Sequence, residues 1–424
     1  MPLVTKKACM KECSVRGNVV SPLGIYLSVP FCKAKCSFCN FASDAFGPER
    51  MDGYVDRLCQ EIAAARSRVD RMGIELERCA DSVYFGGGTP SLLSAEQFRR
   101  IFAALRYEFA IPSQAEITLE CAPGQLSEQT LDEVLRQGVN RVSLGVQSFV
   151  DREARAVGRL HTQAMCEEEI ARLHDTGIGD VGIDLIAGLP HQTEASWRKS
   201  LEQALASGVE HVSVYMLEVD EDSRLGREAM KGGERYGAEN LPSEDETAAL
   251  YAVAREVLDA GGLKQYEISN FARASHDSKH NLKYWKRLPY LGFGLDAHSM
   301  LAVGNGAMRF QNGDDLDMYM GNCSPLKVLS QTDSGQEPEF VSREAAFEES
   351  LFLGLRLVEG VCLEDLRREF GSELIEMVMP SVEESREAGL LEMSEDRIFL
   401  TARGQMASNE VFSRLLVSAP ASRQ

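Results

Sequence analysis

Three cysteines at C-x3-C-x2-C spacing, Cys32, Cys36 and Cys39, constrain this chain more than any other feature of its sequence. They follow a β-like run, Gly24–Phe31, so one tight loop would carry all three thiols. Thiolates on one short loop can bind one face of an iron–sulfur cube, where thiolate is the usual ligand. The fourth iron would then have no protein ligand and would stay open to a small molecule.

Zinc binding and disulfide formation are the alternative uses of these cysteines. A structural zinc site needs a fourth ligand nearby, and neither Cys nor His follows Cys39 until Cys59, in a predicted helix. A disulfide would leave one clustered thiol unpaired, and the 11 cysteines are otherwise scattered, as is typical of a reducing cytosol. The spacing therefore favours an open cluster. A separate pair, Cys9 and Cys13, is interpreted as a coincidence in a polar tail.

Length and charge exclude several other classes of protein. The chain has 424 residues, enough for one large domain and a smaller one. Its formal net charge of -20 argues against a nucleic-acid partner, because phosphate binding needs a concentrated basic face. It has no apolar run of about 18 residues, and its first 20 residues lack the apolar region of a secretory signal. We therefore expect a cytoplasmic protein without a transmembrane segment.

Short β-branched runs alternate with amphipathic helical patterns from Gly24 to Phe271. Six strand–loop–helix units imply an α/β fold with parallel strands covered by helices, either an incomplete (β/α) barrel or an open doubly wound sheet. The predicted strands are Gly24–Phe31, Ser82–Phe85, Glu116–Cys121, Arg141–Val146, Val181–Ile186 and Val212–Leu217, with a further extended segment at Gln265–Phe271. The predicted helices are Tyr54–Val69, Ala95–Phe109, Glu128–Gln137, Gln163–Thr176, Glu194–Ala206 and Glu244–Ala260.

A polar stretch, Met308–Glu339, is interpreted as a loop or linker. The chain beyond it predicts a small helical domain with a two-stranded wing, similar to a winged helix. Its predicted elements are helices at Glu348–Leu357, Leu363–Phe370 and Glu373–Gly389, strands at Leu391–Met393 and Arg397–Leu400, and a last helix at Gly404–Leu416. Because this segment is acidic, a protein contact or a lid is favoured over DNA binding.

Polar residues and glycines stand at or just after the ends of the predicted strands, where the chemistry of a parallel barrel collects. The stretch Gly86–Pro90 follows the second strand, and fits either a ligand-contacting loop or a tight turn. Later strands end near Glu120, Gln147, Arg159 and Asp184. A carboxylate there can accept ribose hydroxyls, and a guanidinium can bind a carboxylate in bidentate fashion. Each residue alone would also fit a helix cap or a solvated rim.

The string His-Asn-x-x-Tyr-Trp marks a second candidate site, at His280, Asn281, Tyr284 and Trp285. A neutral imidazole beside aromatic rings suits a flat apolar ligand such as a porphyrin, and histidine is a common axial ligand of haem iron. The composition by itself favours a structural loop whose aromatic side chains seal the open side of the barrel.

These motifs together resemble a known family. The cysteine motif after Tyr-x-x-x-Pro-Phe is similar to the signature of radical S-adenosylmethionine (SAM) proteins. It resembles more narrowly the oxygen-independent coproporphyrinogen III oxidase group and its haem-chaperone branch, the HemW type. The resemblance spans nearly the whole chain from Ile25, including Leu353–Leu357 and Ser408–Phe412. It implies a six-unit partial barrel and a [4Fe–4S] cluster on Cys32, Cys36 and Cys39 whose open iron is chelated by SAM.

The resemblance also implies roles for individual residues. Tyr26, Gly87 and Glu120 match positions that contact the cluster-bound SAM. The positions linked in the oxidase to a second SAM are matched by Phe38, Gly88, Thr89, Gln147, Arg159 and Asp184. The His-Asn-x-x-Tyr-Trp string is similar to the motif of the haem-chaperone branch, which implies haem binding at His280, Asn281, Tyr284 and Trp285. His298 is a further candidate, since its family counterpart lies near SAM. No catalytic residue is assigned.

The resemblance divides the chain into four segments. They are a loose tail at residues 1–20, a radical SAM partial barrel at 21–272, porphyrin-side loops and a linker at 273–340, and a winged-helix-like domain at 341–418. The oxidase carries a fourth cysteine two positions after the third, where this chain has Phe41. This departure indicates the chaperone branch.

Three functional hypotheses follow. The first is a cytoplasmic haem chaperone that binds haem, a [4Fe–4S] cluster and SAM and passes haem to an apoprotein such as a membrane cytochrome. The second is an enzyme, the oxygen-independent coproporphyrinogen III oxidase of porphyrin biosynthesis. The third, a radical SAM enzyme acting on RNA, is disfavoured by the acidic balance. A homodimer is left open as the assembly state.

Overall fold

The computed structural model describes residues 21–321 and 338–416. The tail with Cys9 and Cys13, the middle of the predicted linker and the end of the chain lie outside the described residues.

Six parallel strands form the centre of a twelve-stranded sheet. They are β1 Leu23–Val29, β2 Ala80–Gly87, β3 Glu116–Cys121, β4 Arg141–Gln147, β5 Asp180–Ala187 and β6 His211–Met216. Each of them pairs in parallel with the next, so the six predicted strands are confirmed. The strands added at the two sides are β7 Lys264–Glu267, β8 Asn270–Ala272, β9 Tyr290–Phe293, β10 His298–Val303, β11 Gly306–Gln311 and β12 Glu339–Val341.

The sheet does not close on itself. Its order is β12-β11-β10-β9-β1-β2-β3-β4-β5-β6-β8-β7, so a different strand stands at each end. The parallel strands stand in chain order from β1 to β6, without the reversal of a doubly wound sheet, and helices cover them. This is the partial-barrel arrangement that the family resemblance implies. The helices of this part are α1 Met51–Arg71, α2 Ala95–Glu108, α3 Glu128–Arg136, α4 Asp151–Ala156, α5 Gln163–Asp175, α6 Glu194–Ala206, α7 Arg224–Met230, α8 Glu244–Ala260, α9 Lys279–Trp285 and α10 Leu316–Gly321, with short 3-10 helices at Pro48–Arg50, Pro90–Leu92 and Arg235–Asn240.

Local sequence explains where many of these helices begin. A serine or threonine precedes each of α2, α5, α6 and α8, and its side-chain oxygen accepts a hydrogen bond from a backbone amide of the first turn. The apolar face of each helix then packs on the sheet. Trp197, Phe98 and Phe102 are fully buried in this main core.

Three details differ from the sequence prediction. The extended segment Gln265–Phe271 is an antiparallel pair, β7 and β8, because the chain turns between Glu267 and Asn270. The interpretation of Met308–Glu339 as a loop is wrong at its start, where β11 pairs with β10 and α10 follows. The helices α4, α7, α9 and α10 were not predicted, since each is too short for a clear apolar period.

Residues 342–416 form a helical domain, whose apolar core continues onto Ile268, Met300 and Ala307 of the main domain. Its helices are α11 Arg343–Leu355, α12 Leu363–Phe370, α13 Ser372–Glu387, α14 Ala402–Met406 and α15 Ser408–Arg414, and its strands are β13 Val361–Cys362, β14 Leu391–Ser394 and β15 Arg397–Leu400. The strands form a small antiparallel sheet in the order β13-β15-β14, which gives the helix–strand–helix–helix–wing order of a winged helix. The predicted last helix is broken at Ala407.

None of the helices in the described part of the chain has both the length and the hydrophobicity needed to cross a membrane.

Candidate cofactor site at the mouth of the barrel

The cysteine motif lies on a closed loop that leaves the carboxyl end of β1. The amide of Cys32 donates to the carbonyl of Asp44 at 2.9 Å, and the amide of Asp44 donates to the carbonyl of Pro30 at 3.0 Å. These two hydrogen bonds bring the two ends of the loop together. Cys32, Cys36 and Cys39 are all free thiols.

Two helices of the barrel hold the centre of this loop. The amide of Ser37 donates to the carbonyl of Val157 after α4 at 3.0 Å, and the amide of Leu225 in α7 donates to the carbonyl of Ser37 at 2.8 Å. The ring of Phe38 packs into a small apolar cluster that contains Val157, Ile186 and Leu225. Phe38 therefore anchors the loop between the second and third cysteines.

The three thiols differ in their electrostatic surroundings. Burial raises the pKa of Cys32 and of Cys39, so in the free protein both thiols retain their protons. The guanidinium Nη1 of Arg159 lies 3.4 Å from the sulfur of Cys36 and offers it a positive charge. A bound metal centre removes the protons that burial retains, because metal ligands are thiolates.

No three His, Cys, Asp or Glu side chains within residues 21–321 and 338–416 are arranged to share a single metal ion. The zinc alternative therefore has no four-ligand group in this part of the chain. An iron–sulfur cluster makes a different demand, since each thiolate binds a separate iron atom.

The glycine stretch after β2 is bound directly to the start of the cysteine loop. The amide of Gly88 donates to the carbonyl of Val29 at 2.8 Å, and the amide of Thr89 donates to that of Phe31 at 2.7 Å. A Cβ on Gly88 would lie 2.8 Å from both of these carbonyl oxygens. Gly87 has a φ of 101°, which strains any other residue. The stretch thus holds the two loops together as well as exposing backbone to a ligand.

Two carboxylates, Glu120 of β3 and Asp184 of β5, lie in the interior of the barrel on either side of β4. Glu120 accepts a hydrogen bond from the hydroxyl of Tyr84 at 2.8 Å, and Asp184 accepts one from Ser143 at 3.2 Å. Burial raises the pKa of both carboxyl groups, that of Glu120 to about 7, and the charge of Asp184 adds to the rise at Glu120. Such acceptors suit the hydroxyl groups of a ribose or the ammonium group of an amino acid.

Gln147 and Arg159 meet at an irregular point in the sheet. The pairing of β4 with β5 shifts register between Gly145 and Gln147, and Gln147 has a φ of 66°. A Cβ on Gly145 would lie 3.0 Å from Arg159 Nη2 and 3.1 Å from Gln147 Nε2, so both side chains lie against this glycine. The Nε of Arg159 is buried without a hydrogen-bond partner. This donor is available to a bound acceptor such as a carboxylate.

A cavity of about 430 Å³ lies between β1 and the loops above it. It is lined by Tyr26, Ser28, Pro30, Phe41, Ala42, Ser43, Gly87, Glu120, Tyr284, Tyr290, Asp296 and His298. One cavity therefore contains Tyr26, Gly87 and Glu120, which are expected to contact cluster-bound SAM. The same cavity contains Tyr284, which is expected to bind haem, and His298. The other expected SAM residues, Phe38, Gly88, Thr89, Gln147, Arg159 and Asp184, do not line it.

The helix α9 closes the barrel at the amino ends of β1 to β3. His280 is 1% exposed, and its ring lies between the hydroxyls of Ser82, 3.0 Å from Nδ1, and of Tyr284, 3.0 Å from Nε2. The ring also stacks on Tyr84 at a centroid distance of 5.1 Å. Burial lowers the pKa of His280 to about 3, so the imidazole is neutral at physiological pH.

The two other residues of the motif point to different neighbours. The backbone N–H of Asn281 donates to Ser278 Oγ at 3.3 Å within the helix cap. The indole of Trp285 lies under the guanidinium of Arg356 from the helical domain, at 4.4 Å, and its Nε1 is buried without a hydrogen-bond partner. Trp285 thus packs between the amino end of the barrel and the helical domain.

Several cavity residues were not predicted from the sequence. Ser28 carried a usable signal, because alternate residues of a strand face the same side and Tyr26 was already a candidate. Asp296, Tyr290 and the segment Phe41–Ser43 carried none, since only the folding of their loops brings them to the barrel.

Comparison with known proteins agrees with this geometry. Residues 26–204 match the model of the radical SAM superfamily, and residues 341–407 match that of the HemN C-terminal domain. The chain is 31% identical to the heme chaperone HemW of Lactococcus lactis, over 93% of this chain and 98% of the relative. It is also 31% identical to the heme chaperone HemW of Bacillus subtilis, over 92% of this chain and 98% of the relative.

A solved structure shows the same fold. Coproporphyrinogen III oxidase (HemN) from Escherichia coli, described as a radical SAM enzyme, superposes with a TM-score of 0.75 at 22% identity. The match covers 94% of this chain and 90% of that one. With two domain models matched and near full-length similarity to HemW proteins, the chain belongs to the radical SAM superfamily, within the coproporphyrinogen III oxidase-like group and its HemW-type branch.

Proposed function

We propose that this protein is a haem chaperone of the radical SAM type, which binds haem, a [4Fe–4S] cluster and SAM and delivers haem to an apoprotein. The observation that carries the proposal is the shared cavity. This cavity is lined by Tyr26, Gly87 and Glu120, which are expected to contact SAM. It is also lined by Tyr284, whose hydroxyl lies 3.0 Å from Nε2 of His280. The near full-length similarity to proteins named heme chaperone HemW supports it.

The cluster would be held by Cys32, Cys36 and Cys39, and SAM by Tyr26, Gly87 and Glu120. The free thiols on one closed loop and the unpaired Nε of Arg159 fit these groups. When bound, the cluster supplies a single electron to SAM. The residues matched to a second SAM, Phe38, Gly88, Thr89, Gln147, Arg159 and Asp184, lie around the cysteine loop and the neighbouring strand ends and would support the same site.

Haem would bind at His280, with Asn281, Tyr284 and Trp285 around it. A neutral imidazole is the form that ligates iron, and the lowered pKa of His280 keeps it neutral. Ser82 already engages Nδ1, which leaves Nε2 as the nitrogen for the metal. Binding therefore requires the hydroxyl of Tyr284 to leave Nε2.

The recipient of the haem would be an apoprotein such as a membrane cytochrome, met in the cytoplasm. The net charge of -20 argues against nucleic acid as the partner. A homodimer remains a candidate assembly, to be measured by light scattering.

The proposal is tested by haem titration of the cluster-reconstituted protein under anaerobic conditions, followed by absorbance. We expect stoichiometric binding by the wild type and its loss in His280→Ala. His161→Ala is the matched control, because His161 is also a buried histidine (3% exposed) but bonds to the carbonyl of Val146 instead. Equal haem binding by all three proteins would contradict the assignment of His280.

A parallel incubation separates the chaperone from the oxidase. The protein is mixed with SAM, a reductant and coproporphyrinogen III, and the products are read by mass spectrometry, with Cys36→Ala as control. We expect no vinyl product. Protoporphyrinogen that depends on Cys36 would replace the chaperone proposal by the oxidase.

A further inference from the structure

The helix α9, which carries His280, is too short to determine its own orientation. It has seven residues, and a helix of this length is unstable in isolation because its nucleus is costly to form. Its position must therefore be set by residues outside it.

Glu116, the first residue of β3, makes the densest set of contacts with the start of α9. One carboxylate oxygen accepts the amide of Lys279 at 2.9 Å, and the other accepts the amide of His280 at 2.9 Å and faces the hydroxyl of Ser278 at 3.4 Å. Amide groups of a first helical turn have no partner within the helix. Glu116 satisfies two of them from a strand that lies far away in sequence.

The carboxylate of Glu116 is buried and is paired with a buried guanidinium group. Its side chain is 8% exposed, and the guanidinium of Arg141 lies 3.9 Å away with a side chain 5% exposed. Arg141 in turn donates to the carbonyl of His276, two residues before the helix cap. Buried charges are costly unless they are paired and hydrogen-bonded. This pair therefore holds the chain on both sides of Ser278.

The pairing of β2 with β3 explains how this contact reaches the imidazole. Ser82 and Glu116 are direct partners in the parallel pairing of these strands. Glu116 holds the backbone amide of His280, and Ser82 meets its ring at Nδ1. Glu116 thus fixes the backbone of His280, and its neighbour in the sheet, Ser82, fixes the orientation of the ring.

We propose that Glu116 is a positioning residue for haem ligation. It acts through α9, holding His280 so that Nδ1 stays on Ser82 and Nε2 faces the cavity side of the helix, towards Tyr284. This inference rests on the proposed function, and it assigns Glu116 no contact with haem. Without the carboxylate, the first turn of α9 loses its fixed acceptor and the imidazole samples several orientations.

The test compares Glu116→Gln with the wild type in the full chain. The amide keeps the size of the side chain and one acceptor, but turns a donor towards one of the two helix amides. We expect about tenfold weaker haem binding, the effect of losing one hydrogen bond to a charged group. We also expect a mixture of ligation states in the electron paramagnetic resonance spectrum of ferric haem, where the wild type shows one.

Glu133→Gln is the matched control. Glu133 is also buried (1% exposed) and paired with arginines, Arg99 and Arg136, but it lies on the outer helix α3. It should lower stability without changing the spectrum or the affinity. An effect of Glu133→Gln equal to that of Glu116→Gln would overturn the proposal, because general loosening would then explain both.

A second pair of measurements keeps the proposal testable if Glu116→Gln folds poorly. Ser278→Ala removes another member of the same cap, and we expect a smaller change in the same direction. In the haem-free protein, hydrogen exchange at the amides of Lys279 and His280 should accelerate in Glu116→Gln. Unchanged exchange and an unchanged spectrum, with haem still lost in His280→Ala, would refute the role of Glu116 and leave the proposed function standing. If the wild type binds no haem, both the role of Glu116 and the proposed function are refuted.

Discussion

At Gly88 the backbone of the site leaves no room for a side chain. Its amide bonds to Val29, and the space where a side chain would stand is filled by carbonyl oxygens of Val29 and Phe31. Backbone atoms of a buried strand cannot rotate away as a flexible side chain would. The glycine is therefore required by packing, whatever ligand lies above it.

Gly88→Ala should accordingly separate β1 from the glycine stretch. We expect a loss of about 1–3 kcal/mol in the free energy of unfolding, as for other overpacked sites, together with a lower iron content after reconstitution. Gly179→Ala is the control, because a Cβ there meets no atom within 4 Å. Urea unfolding measures the stability of the two variants. Equal free energies of unfolding would show that the glycine stretch after β2 moves to accept the extra methyl group.

Glu120 is a buried carboxyl group whose pKa is raised into the physiological range. Burial raises its pKa to about 7, from an ordinary value of 4.5. Between these values the folded state binds more protons than the unfolded state, so this residue lowers stability as pH rises from about 4.5 to 7. At about 1.36 kcal/mol per pKa unit, the contribution is at most about 3 kcal/mol.

Glu120→Gln should remove this dependence. We expect the variant, measured without SAM, to become more stable relative to the wild type as pH rises from 5 to 7, because only the wild type loses stability as Glu120 ionises. Parallel curves for the two proteins would show that Glu120 titrates normally.

Among the elements, α7 has a function that its polar sequence did not reveal. The amide of Leu225 holds Ser37 of the cysteine loop, and the side chain of Leu225, 1% exposed, belongs to the cluster that receives Phe38. A helix between β6 and α8 thereby supports a loop that follows β1. The support is mechanical, and it acts on the segment between the second and third cysteines.

Leu225→Ala should lower the free energy of unfolding by about 2–4 kcal/mol, as for other buried leucines. It should also speed the loss of iron to a chelator from the reconstituted protein. Leu131→Ala is the matched control, since Leu131 is similarly buried (4% exposed) on the outer helix α3. If both variants lose iron at the same rate, α7 has no specific role at the loop.

At the scale of the whole molecule, ion pairs connect the helical domain to the barrel next to α9. Glu349 of α11 bonds to Arg287, which follows α9, at 3.2 Å, and to Arg309 of β11 at 2.6 Å. Nearby, the guanidinium of Arg356 lies 3.4 Å from the carboxylate of Glu267. The same guanidinium stacks on the ring of Trp285. The position of α9 is thus constrained by the barrel at one end and by the helical domain at the other.

Glu349→Ala would leave Arg287, whose side chain is 9% exposed, without its nearest carboxylate. We expect a loss of about 2–3 kcal/mol in stability, because the largely buried Arg287 then keeps only Glu369, which is 3.8 Å away and 53% exposed. Glu344→Ala, which removes an exposed partner of Arg343, should cost less than about 1 kcal/mol. Thermal unfolding monitored by calorimetry checks both, and similar losses would argue against a buried connection.

The sequence by itself determined the elements whose signals are local. The period of apolar residues located the six parallel strands and their covering helices, because each must bury one face within its own length. The cysteine spacing identified a loop able to bind a metal cluster, since all three ligands lie on one short segment. The missing fourth cysteine at Phe41 was likewise readable directly.

Only the tertiary structure decided what surrounds His280 and the cavity. Glu116 meets the amide of His280 across 164 positions of sequence, and Asp296 reaches the cavity through the folding of its loop. Such contacts depend on strand register and on loop conformation, which no local pattern encodes. The same reason explains why the aromatic motif was recognised in the sequence, whereas its place at the amino end of the barrel, with both ring nitrogens of His280 engaged, was visible only in the fold.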